Sequence, residues 1–464
     1  MTWAMDLLPL LMFVTLFLLI FSGFPVAFVL GGVGVIFGFV GMGFGFFSWI
    51  EFFATVTRIW GGVAENLTLI AIPLFIFMGS ILDSSGVAND LLLLLKRLLR
   101  RMPGGLGIAV VVMGTVLAAT TGIVGASVTL MTLLAYPVLV RSHYPSSVAG
   151  GVIAASGTLG ILLPPSVMLI VLANTFAIPV GNLFLGAVLP GLLLSLAYAL
   201  FMMLLGLMGK VGRPGASVSS APSFPGDNDE DGFPRGLWLV VLRGLVAPVV
   251  LIAFVLGSIF TGVATPTEAA GMGVLGAVLV ALVNGKLRVA AVWKSCLSSG
   301  LICGMIFMIF MGAAVFSYVF RSLGGDDAVA DVVQSFGLEG WHIIVLMMIV
   351  VFIMGCFLDW IEITLIIVPI FMPLLAGVDL FPGMDQTSFL VWLAICLSVN
   401  LQTSFITPPF GFSLFFVRGA AGPSLATAAI YRGIIPFVVL QLLVLALVLM
   451  VPEMVLWLPD KYLN

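Results

Sequence analysis

Long apolar segments, separated by short polar ones, make up almost the whole chain. The candidate membrane spans are 6–22, 24–47, 66–82, 105–140, 147–176 and 183–208 in the first half, and 237–260, 262–284, 296–320, 341–376, 388–417 and 430–450 in the second. Most of these segments have about the 20 residues that a helix needs to cross a bilayer. The apolar runs are continuous instead of alternating, which argues against a transmembrane β-barrel. The pattern predicts an all-α polytopic membrane protein.

Two segments, 105–140 and 341–376, are too long for one simple crossing. Each has small or polar residues at its centre, at Thr120–Ser127 and at Gly355–Thr364. Each segment is either two full crossings or a re-entrant hairpin that enters the membrane and returns. We predict a hairpin in both places.

Two other segments, 147–176 and 388–417, contain adjacent prolines, Pro164-Pro165 and Pro408-Pro409. Proline has no backbone N–H and clashes with the preceding turn, so a helix must break there. Irregular backbone is tolerated at membrane depth where it is buried in protein or lines a cavity. We therefore predict a broken helix in each half, in the interior of the protein.

The two halves of the chain resemble each other. Three motifs recur in the same order, at Ser22 and Thr261, at Ile76 and Ile309, and at Thr158 and Thr403. We predict a first repeat over 1–211, a polar linker over 212–236 and a second repeat over 237–464. With hairpins, each repeat has about five transmembrane helices, and this odd number inverts the second repeat. Inverted repeats are typical of secondary transporters.

Composition and charge agree with a membrane location. The chain is 62% hydrophobic and 8% charged. A cytoplasmic position for Lys96–Arg101 puts all but three of the 17 basic residues on that side, as the positive-inside rule requires. The exceptions are Arg58, Arg321 and Lys461. Segments Ser84–Arg101 and Ser322–Gly340 are predicted to lie along the inner and outer membrane surfaces, respectively.

Several kinds of chemistry have no motif in this chain. With two histidines, no HExxH and no CxxC, we expect neither a transition-metal site nor a disulfide. With no GxxxxGK[ST], the chain is not expected to hydrolyse ATP. We predict that the protein is not an enzyme and holds no cofactor. Glu268 is predicted to cap a helix start, the alternative being contact with a partner. Arg418 is predicted to anchor its helix at the cytoplasmic interface, the alternative being attraction of an anion.

Side-chain oxygens concentrate at the two hairpin tips and the two breaks. Carbonyl groups freed by a broken helix suit a hard cation such as Na⁺, and helix N-termini suit a carboxylate. The predicted substrate-binding residues are Thr121, Gly122, Ser127, Ser166, Asp359, Glu362 and Thr403. The predicted Na⁺-binding residues are Thr120, Gly125, Ser156, Gly157, Pro164, Thr364, Asn400, Thr407 and Pro408. The alternative for any single Ser or Thr is that its hydroxyl bonds the backbone.

The acids Asp359 and Glu362 are the most unusual of these residues. Ionisable groups deep in an apolar segment are rare and usually functional. They suit either Na⁺ binding or proton uptake. The other interpretation, which stays open, is that one of them lies at an aqueous rim.

Four ordered motifs resemble one known family. They are GILLPPS at Gly160–Ser166, ATPTEAAG at Ala264–Gly271, FLDxxxxxxxxVPIFMP at Phe357–Pro373 and SFITPPFGFSLFFVRG at Ser404–Gly419. Together they resemble the DctM-type large membrane subunit of tripartite ATP-independent periplasmic (TRAP) transporters. The chain departs from many relatives in its first hairpin tip, TTGIVGAS, and in the bulky Trp360 and charged Glu362.

The resemblance implies a multi-pass protein of the bacterial inner membrane. It implies uptake of an organic acid, coupled to Na⁺, through an elevator-type movement of the hairpin-bearing domain. The implied partners are a separate small four-helix DctQ-type subunit and a periplasmic DctP-type binding protein; no nucleic acid is involved. Alternatives are a proton-coupled transporter of the same fold and, less favoured, an ion channel, which would need a continuous polar pore.

Overall fold

The structure, a computed structural model, describes residues 2–121, 124–212, 242–375, 378, 380–408 and 411–463. This part of the chain is helical and has no strand. The helices of the first half are α1 (Thr2–Ile20), α2 (Val26–Gly43), α3 (Trp49–Ile59), α4 (Ala71–Ser84), α5 (Val87–Leu98), α6 (Gly105–Thr121), α7 (Val124–Arg141), α8 (Ser146–Gly157), α9 (Leu159–Leu162), α10 (Val167–Phe176) and α11 (Val180–Leu207). The helices of the second half are α12 (Ala247–Phe260), α13 (Pro266–Val283), α14 (Val289–Ser322), α15 (Gly325–Ser335), α16 (Trp341–Gly355), α17 (Trp360–Leu375), α18 (Gln386–Ile406), α19 (Phe412–Ala421), α20 (Thr427–Met450) and α21 (Glu453–Tyr462).

The predicted membrane spans are confirmed as mainly helical over the described residues, which leave out 237–241 of the span 237–260. Eight helices of the described part are long and apolar enough to cross a bilayer, or nine if a bent pair counts as one span. That pair, 146–162 with α10, bends by 43° at the first double proline. The protein is therefore an all-α polytopic membrane protein, as the apolar pattern indicates.

Both long segments divide into two helices that pack against each other. The first predicted hairpin consists of α6 and α7, and the second of α16 and α17, with Cys356–Asp359 as the second turn. That each pair enters the membrane and returns, instead of crossing it twice, stays a prediction. The predicted surface segments contain the shorter amphipathic helices α5 and α15. The predicted linker lies outside the described residues, apart from Gly212.

The helix contacts exchange between the two halves. Helix α2 packs on α14, whereas its counterpart in the second half, α13, packs on α4. In the same way, α7 of the first hairpin packs on α19, and α17 of the second hairpin packs on α10. Such an exchange is what a two-fold relation between the halves would produce; the orientation of each repeat in the membrane stays a prediction.

The core of the protein lies around the two broken helices. Every residue of α18 from Phe389 to Ile406 is buried, and so is the stretch from Ala149 to Ala173 in the first half. Helices that are buried on all faces lie inside a bundle and do not face lipid. The irregular backbone at Pro164-Pro165 is thus shielded by protein, as bilayer physics requires.

Capping explains where α13 begins. The Glu268 carboxylate accepts the Thr265 N–H at 2.8 Å, and the Glu268 N–H donates to the Thr265 hydroxyl at 3.3 Å. This reciprocal pair satisfies N–H groups that have no partner within the helix. The predicted capping role of Glu268 is confirmed.

Candidate functional site

The first break places one hydroxyl where a backbone donor is missing. The Ile161 carbonyl would normally accept the N–H of residue 165, but Pro165 has none. The Ser166 hydroxyl donates to this carbonyl instead, at 2.5 Å. Ser166 is fully buried, next to the cis peptide Pro164-Pro165.

At the second break, too, a serine hydroxyl replaces a missing backbone donor. The Phe405 carbonyl loses its donor because residue 409 is also proline, and the Ser413 hydroxyl donates to it at 3.0 Å. In the sequence repeat, Ile161 corresponds to Phe405. Each half thus has one serine beyond its break that satisfies a carbonyl before it. Pro409 itself and Phe410 lie outside the described residues.

Three buried side chains near the breaks and the second hairpin have no hydrogen-bond partner among the described residues. They are the Ser156 hydroxyl, the Thr364 hydroxyl and both amide atoms of Gln402. Each residue is at most 1% exposed. An unsatisfied buried polar group costs about 1–3 kcal/mol, so such groups in a native protein point to an ion, a ligand or a water. Ser156 and Thr364 are among the predicted Na⁺ ligands.

Both hairpins touch their broken helices through glycine. A Cβ on Gly114 of α6 would lie 2.6 Å from the Ser156 Cβ, and one on Gly355 of α16 would lie 2.5 Å from the Ser404 Cβ. At Gly157, an added Cβ would lie 2.5 Å from the Val128 Cγ2 of α7. The glycines let the hairpin backbones approach the residues beside each break.

The second hairpin tip carries both predicted acids at the start of α17. The Asp359 carboxylate accepts the Trp360 N–H at 2.9 Å, and the Glu362 carboxylate accepts the Asp359 N–H at 3.4 Å. Both residues are partly exposed. The structure brings the two acids together at one helix N-terminus, where the helix dipole favours negative charge.

The first hairpin tip is described in part. Thr120 and Thr121 end α6, but their side chains, and Gly122 altogether, lie outside the described residues. Gly125 faces α19, since a Cβ there would lie 2.7 Å from the Phe416 ring. Ser127 is buried. The first hairpin thus meets the helix that follows the second break.

The predicted polar residues of α18 bond mainly to the backbone. The hydroxyl of Thr403 donates to the Val399 carbonyl at 2.8 Å, and that of Thr407 donates to the Thr403 carbonyl at 2.7 Å. The Asn400 amide donates to the Met348 carbonyl of α16 at 2.7 Å. These oxygens keep lone pairs that can still bind a cation. Thr407 and Pro408 are half-buried at the end of α18.

Sequence reasoning missed two parts of the site. No ligand role is predicted for Gln402 from the sequence, although its place two residues after Asn400 in a polar cluster favours a place in the candidate site. The contacting glycines, Gly114 and Gly355, carry no signal of their own, because a sequence does not say which helix each one faces. Arg418 does anchor its helix end: its Nη1 donates to the Gly422 carbonyl at 2.6 Å and to that of Leu425.

A separate cleft of about 590 Å³ lies between the end of α10 and the starts of α11 and α13. Asn66, Asn174 and Asn182 line it, and the Asn66 amide donates to Asn174 at 2.5 Å. It contains none of the predicted site residues. The breaks and hairpins, and not this cleft, hold the unpartnered polar groups described above.

Comparisons with known proteins identify the family of the chain. The family profile "Tripartite ATP-independent periplasmic transporter, DctM component" matches residues 13–454. The C4-dicarboxylate TRAP transporter large permease protein DctM of Pseudomonas aeruginosa is 32% identical over 86% of this chain and 87% of its own. The isethionate TRAP transporter permease protein DctMQ of Oleidesulfovibrio alaskensis is 26% identical over 84% of this chain and 57% of its own.

A solved structure shares the fold. The Alcanivorax borkumensis YdaH transporter superposes with a TM-score of 0.60 at 15% identity, covering 89% of this chain and 88% of that one. This likeness concerns the fold alone. The family match over nearly the whole chain carries the identification: the chain belongs to the DctM family, the large permease subunits of TRAP transporters, and is a multi-pass inner-membrane protein and not an enzyme.

Proposed function

We propose that this permease imports a small organic acid together with Na⁺, by an elevator-type alternating-access mechanism. The observation that carries the proposal is the set of unpartnered polar groups at Ser156, Thr364 and Gln402, buried beside two helix breaks. Groups of this kind are costly unless a ligand satisfies them during transport.

Two cation sites follow from the two breaks. In the first, the Ser156 hydroxyl would join carbonyls near Gly157 and Gly160; the Gly160 carbonyl has no N–H donor four residues on, because Pro164 stands there. In the second, Thr364 and Thr407 would supply oxygens. Asn400 lies about 10 Å along the helix from Thr407, so it would support α16 through its bond to the Met348 carbonyl instead of sharing that ion. Oxygen ligands from hydroxyls and carbonyls are what a hard cation prefers.

Charge at the second hairpin tip supports coupling between cation and substrate. Asp359 and Glu362 stand together at the α17 N-terminus and would repel a carboxylate that approaches it. A bound cation near them would cancel that repulsion, so the cation would bind first and the anion second. This order makes uptake of the anion depend on the cation.

The proposed partners are a separate small DctQ-type subunit and a periplasmic DctP-type binding protein. The name DctMQ of the O. alaskensis relative joins the two membrane components, which supports pairing with such a subunit. The names of the two relatives specify different anions, a C4-dicarboxylate and isethionate, so the family alone does not fix the substrate. We assign the substrate class as small organic acids.

The test is uptake into proteoliposomes that hold this chain with its small subunit and binding protein. A C4-dicarboxylate serves as the first labelled solute, with and without an inward Na⁺ gradient. We expect uptake to need both the gradient and the binding protein. Uptake that is independent of the binding protein would contradict the TRAP mechanism, and uptake with equal rates in Na⁺ and choline would contradict Na⁺ coupling.

Variants locate the site in the same assay. Gln402→Leu and Thr364→Val remove unpartnered polar atoms, so we expect unchanged or higher thermal stability together with loss of uptake. Ser258→Ala is the matched control, because its hydroxyl bonds the Val255 carbonyl within α12. Uptake that survives in both site variants would remove Gln402 and Thr364 from the site.

Proton coupling is the second candidate, and the paired acids Asp359 and Glu362 favour it. In that case an inward proton gradient alone would drive uptake. Asp359→Asn and Glu362→Gln would then abolish gradient-driven uptake but keep solute exchange across the membrane. Under Na⁺ coupling, a proton gradient alone would give no accumulation.

A further inference from the structure

A charged side chain outside the proposed ion and substrate sites bonds to the second hairpin. Arg321, in the last turn of α14, donates from Nη2 to the Pro369 carbonyl of α17 at 3.2 Å. The residue four positions after Pro369 is Pro373, which has no N–H to offer. The hairpin arm therefore presents an acceptor that its own helix leaves open, and a neighbouring helix fills it.

Arg321 is held in position from its other side. Its Nε lies 3.7 Å from the Asp326 carboxylate in the first turn of α15. Burial raises the pKa of Asp326, and the nearby Arg321 charge acts in the opposite direction. The guanidinium thus joins the α14–α15 corner to the hairpin. Its side chain is 50% exposed, so the guanidinium can exchange either partner for water.

The tip of the same hairpin touches a different helix. The Phe357 ring packs edge-on against Phe21, just after α1, with ring centroids 5.5 Å apart. Helix α1 in turn packs on α15. The second hairpin is therefore fastened to the α1, α14 and α15 group at its tip and along its second arm.

We propose that Arg321 is a latch that favours the present arrangement of the second hairpin, and that it releases the Pro369 carbonyl whenever the hairpin moves. This inference rests on the proposed function, because it requires a hairpin that changes position. Both groups regain water on release, so the latch biases an equilibrium without blocking it. Loss of one charged hydrogen bond should change the ratio of the two populations roughly tenfold.

The populations can be measured without transport. Spin labels are placed on Val332→Cys of α15 and Ile353→Cys of α16, both at exposed positions, in full-length protein with the four native cysteines replaced by alanine. Pulsed EPR then gives the distribution of distances between the two labels. We expect two populations, with Arg321→Gln lowering the share of the present arrangement roughly tenfold relative to the other.

Matched variants separate the latch from a general structural effect. Pro373→Ala supplies a backbone N–H to the Pro369 carbonyl, so Arg321→Gln should have much less effect in that background. Arg321→Lys keeps a donor and should retain most of the bias. Arg58→Gln is the control, because Arg58 lies over the Tyr318 ring, 5.4 Å from its centroid, and forms no hydrogen bond to the second hairpin within the described part of the chain.

The outcomes are distinct. The latch is overturned if Arg321→Gln leaves the distribution of label distances unchanged. It is also overturned if Arg321→Gln shifts that distribution equally with and without Pro373. Na⁺-driven uptake by the unlabelled protein, measured in parallel, decides the proposed function separately. If Arg321→Gln shifts the label distances but uptake is the same with and without Na⁺, the latch is kept and the Na⁺ coupling is rejected.

Discussion

The close contact between Gly355 and Ser404 allows a quantitative test of how tightly the second hairpin packs against its broken helix. We consider Gly355→Ala, which adds one methyl group at the end of α16. The new Cβ would lie 2.5 Å from the Ser404 Cβ. Carbon atoms attract each other best at about 3.5–4.0 Å, so the added methyl would stand about 1 Å too close.

No rotamer change relieves this overlap, because the Ser404 Cβ is fixed to its backbone. The helices must separate or the hairpin end must unwind, at a cost of about 1–3 kcal/mol for overpacking in a close-packed interior. Replacing glycine by alanine within a helix returns at most about 1 kcal/mol. An overlap of about 1 Å places the cost in the upper part of that range, at about 2–3 kcal/mol, so the net expectation is a destabilisation of about 1–2 kcal/mol.

Thermal unfolding in detergent, followed by size-exclusion fluorescence, measures the effect, and proteoliposome uptake measures its consequence. Gly304→Ala in α14 is the matched control, since nothing lies within 4 Å of an added Cβ there. In a Ser404→Gly background the opposing Cβ is gone, so Gly355→Ala should cost nothing further. A wild-type melting midpoint and wild-type uptake in Gly355→Ala would refute the close packing of hairpin and broken helix.

Three further predictions concern backbone groups. Ser166→Ala leaves the buried Ile161 carbonyl without its donor and should destabilise the protein by about 1–3 kcal/mol, measured as a lower melting midpoint than in Ser258→Ala. Ser413→Ala should do the same at Phe405, since its hydroxyl is bound at 3.0 Å. Asp385 caps α18 through the Ser388 N–H, and hydrogen bonds from the Ser388 hydroxyl and then from its N–H lower the Asp385 pKa. The advantage of wild type over Asp385→Ala should be complete above the ordinary pKa of an aspartate and disappear as pH falls through the lowered value; equal melting midpoints at neutral pH would contradict it.

The sequence predicts the helices and the breaks well because these depend on local chemistry. Apolar runs of sufficient length and adjacent prolines act on their own segments, so the bend at Pro164-Pro165 needs no tertiary information. The sequence does not tell which donors bind the carbonyl groups that a proline leaves without an N–H partner. The Ser166 hydroxyl donates to the Ile161 carbonyl, and Arg321 donates to the Pro369 carbonyl. Both bonds depend on how the chain packs in three dimensions.

Short helices outside the apolar crossings were harder to predict. Helix α3, at Trp49–Ile59, and the terminal α21 lie outside the predicted spans, since each is too short to be found by a search for apolar crossings. Helix α3 nevertheless carries a local signal, because Ser48 and Glu51 form a capping box at its start. The ligand role of individual residues, from Thr120 to Pro408, stays a prediction.

The complete enclosure of α18 bears on how the protein is made. This helix has a mean hydropathy of 1.8 and contains Asn400, Gln402 and Thr403, which would meet lipid if the segment entered the bilayer alone. Such groups are costly in hydrocarbon. The helices that enclose it from the first half, including α9, α10 and α11, precede it in the chain. During synthesis the segment can therefore move from the translocon directly into contact with these helices, without exposing its polar groups to lipid. Membrane insertion of α18 thus depends on the order in which its neighbours are synthesised.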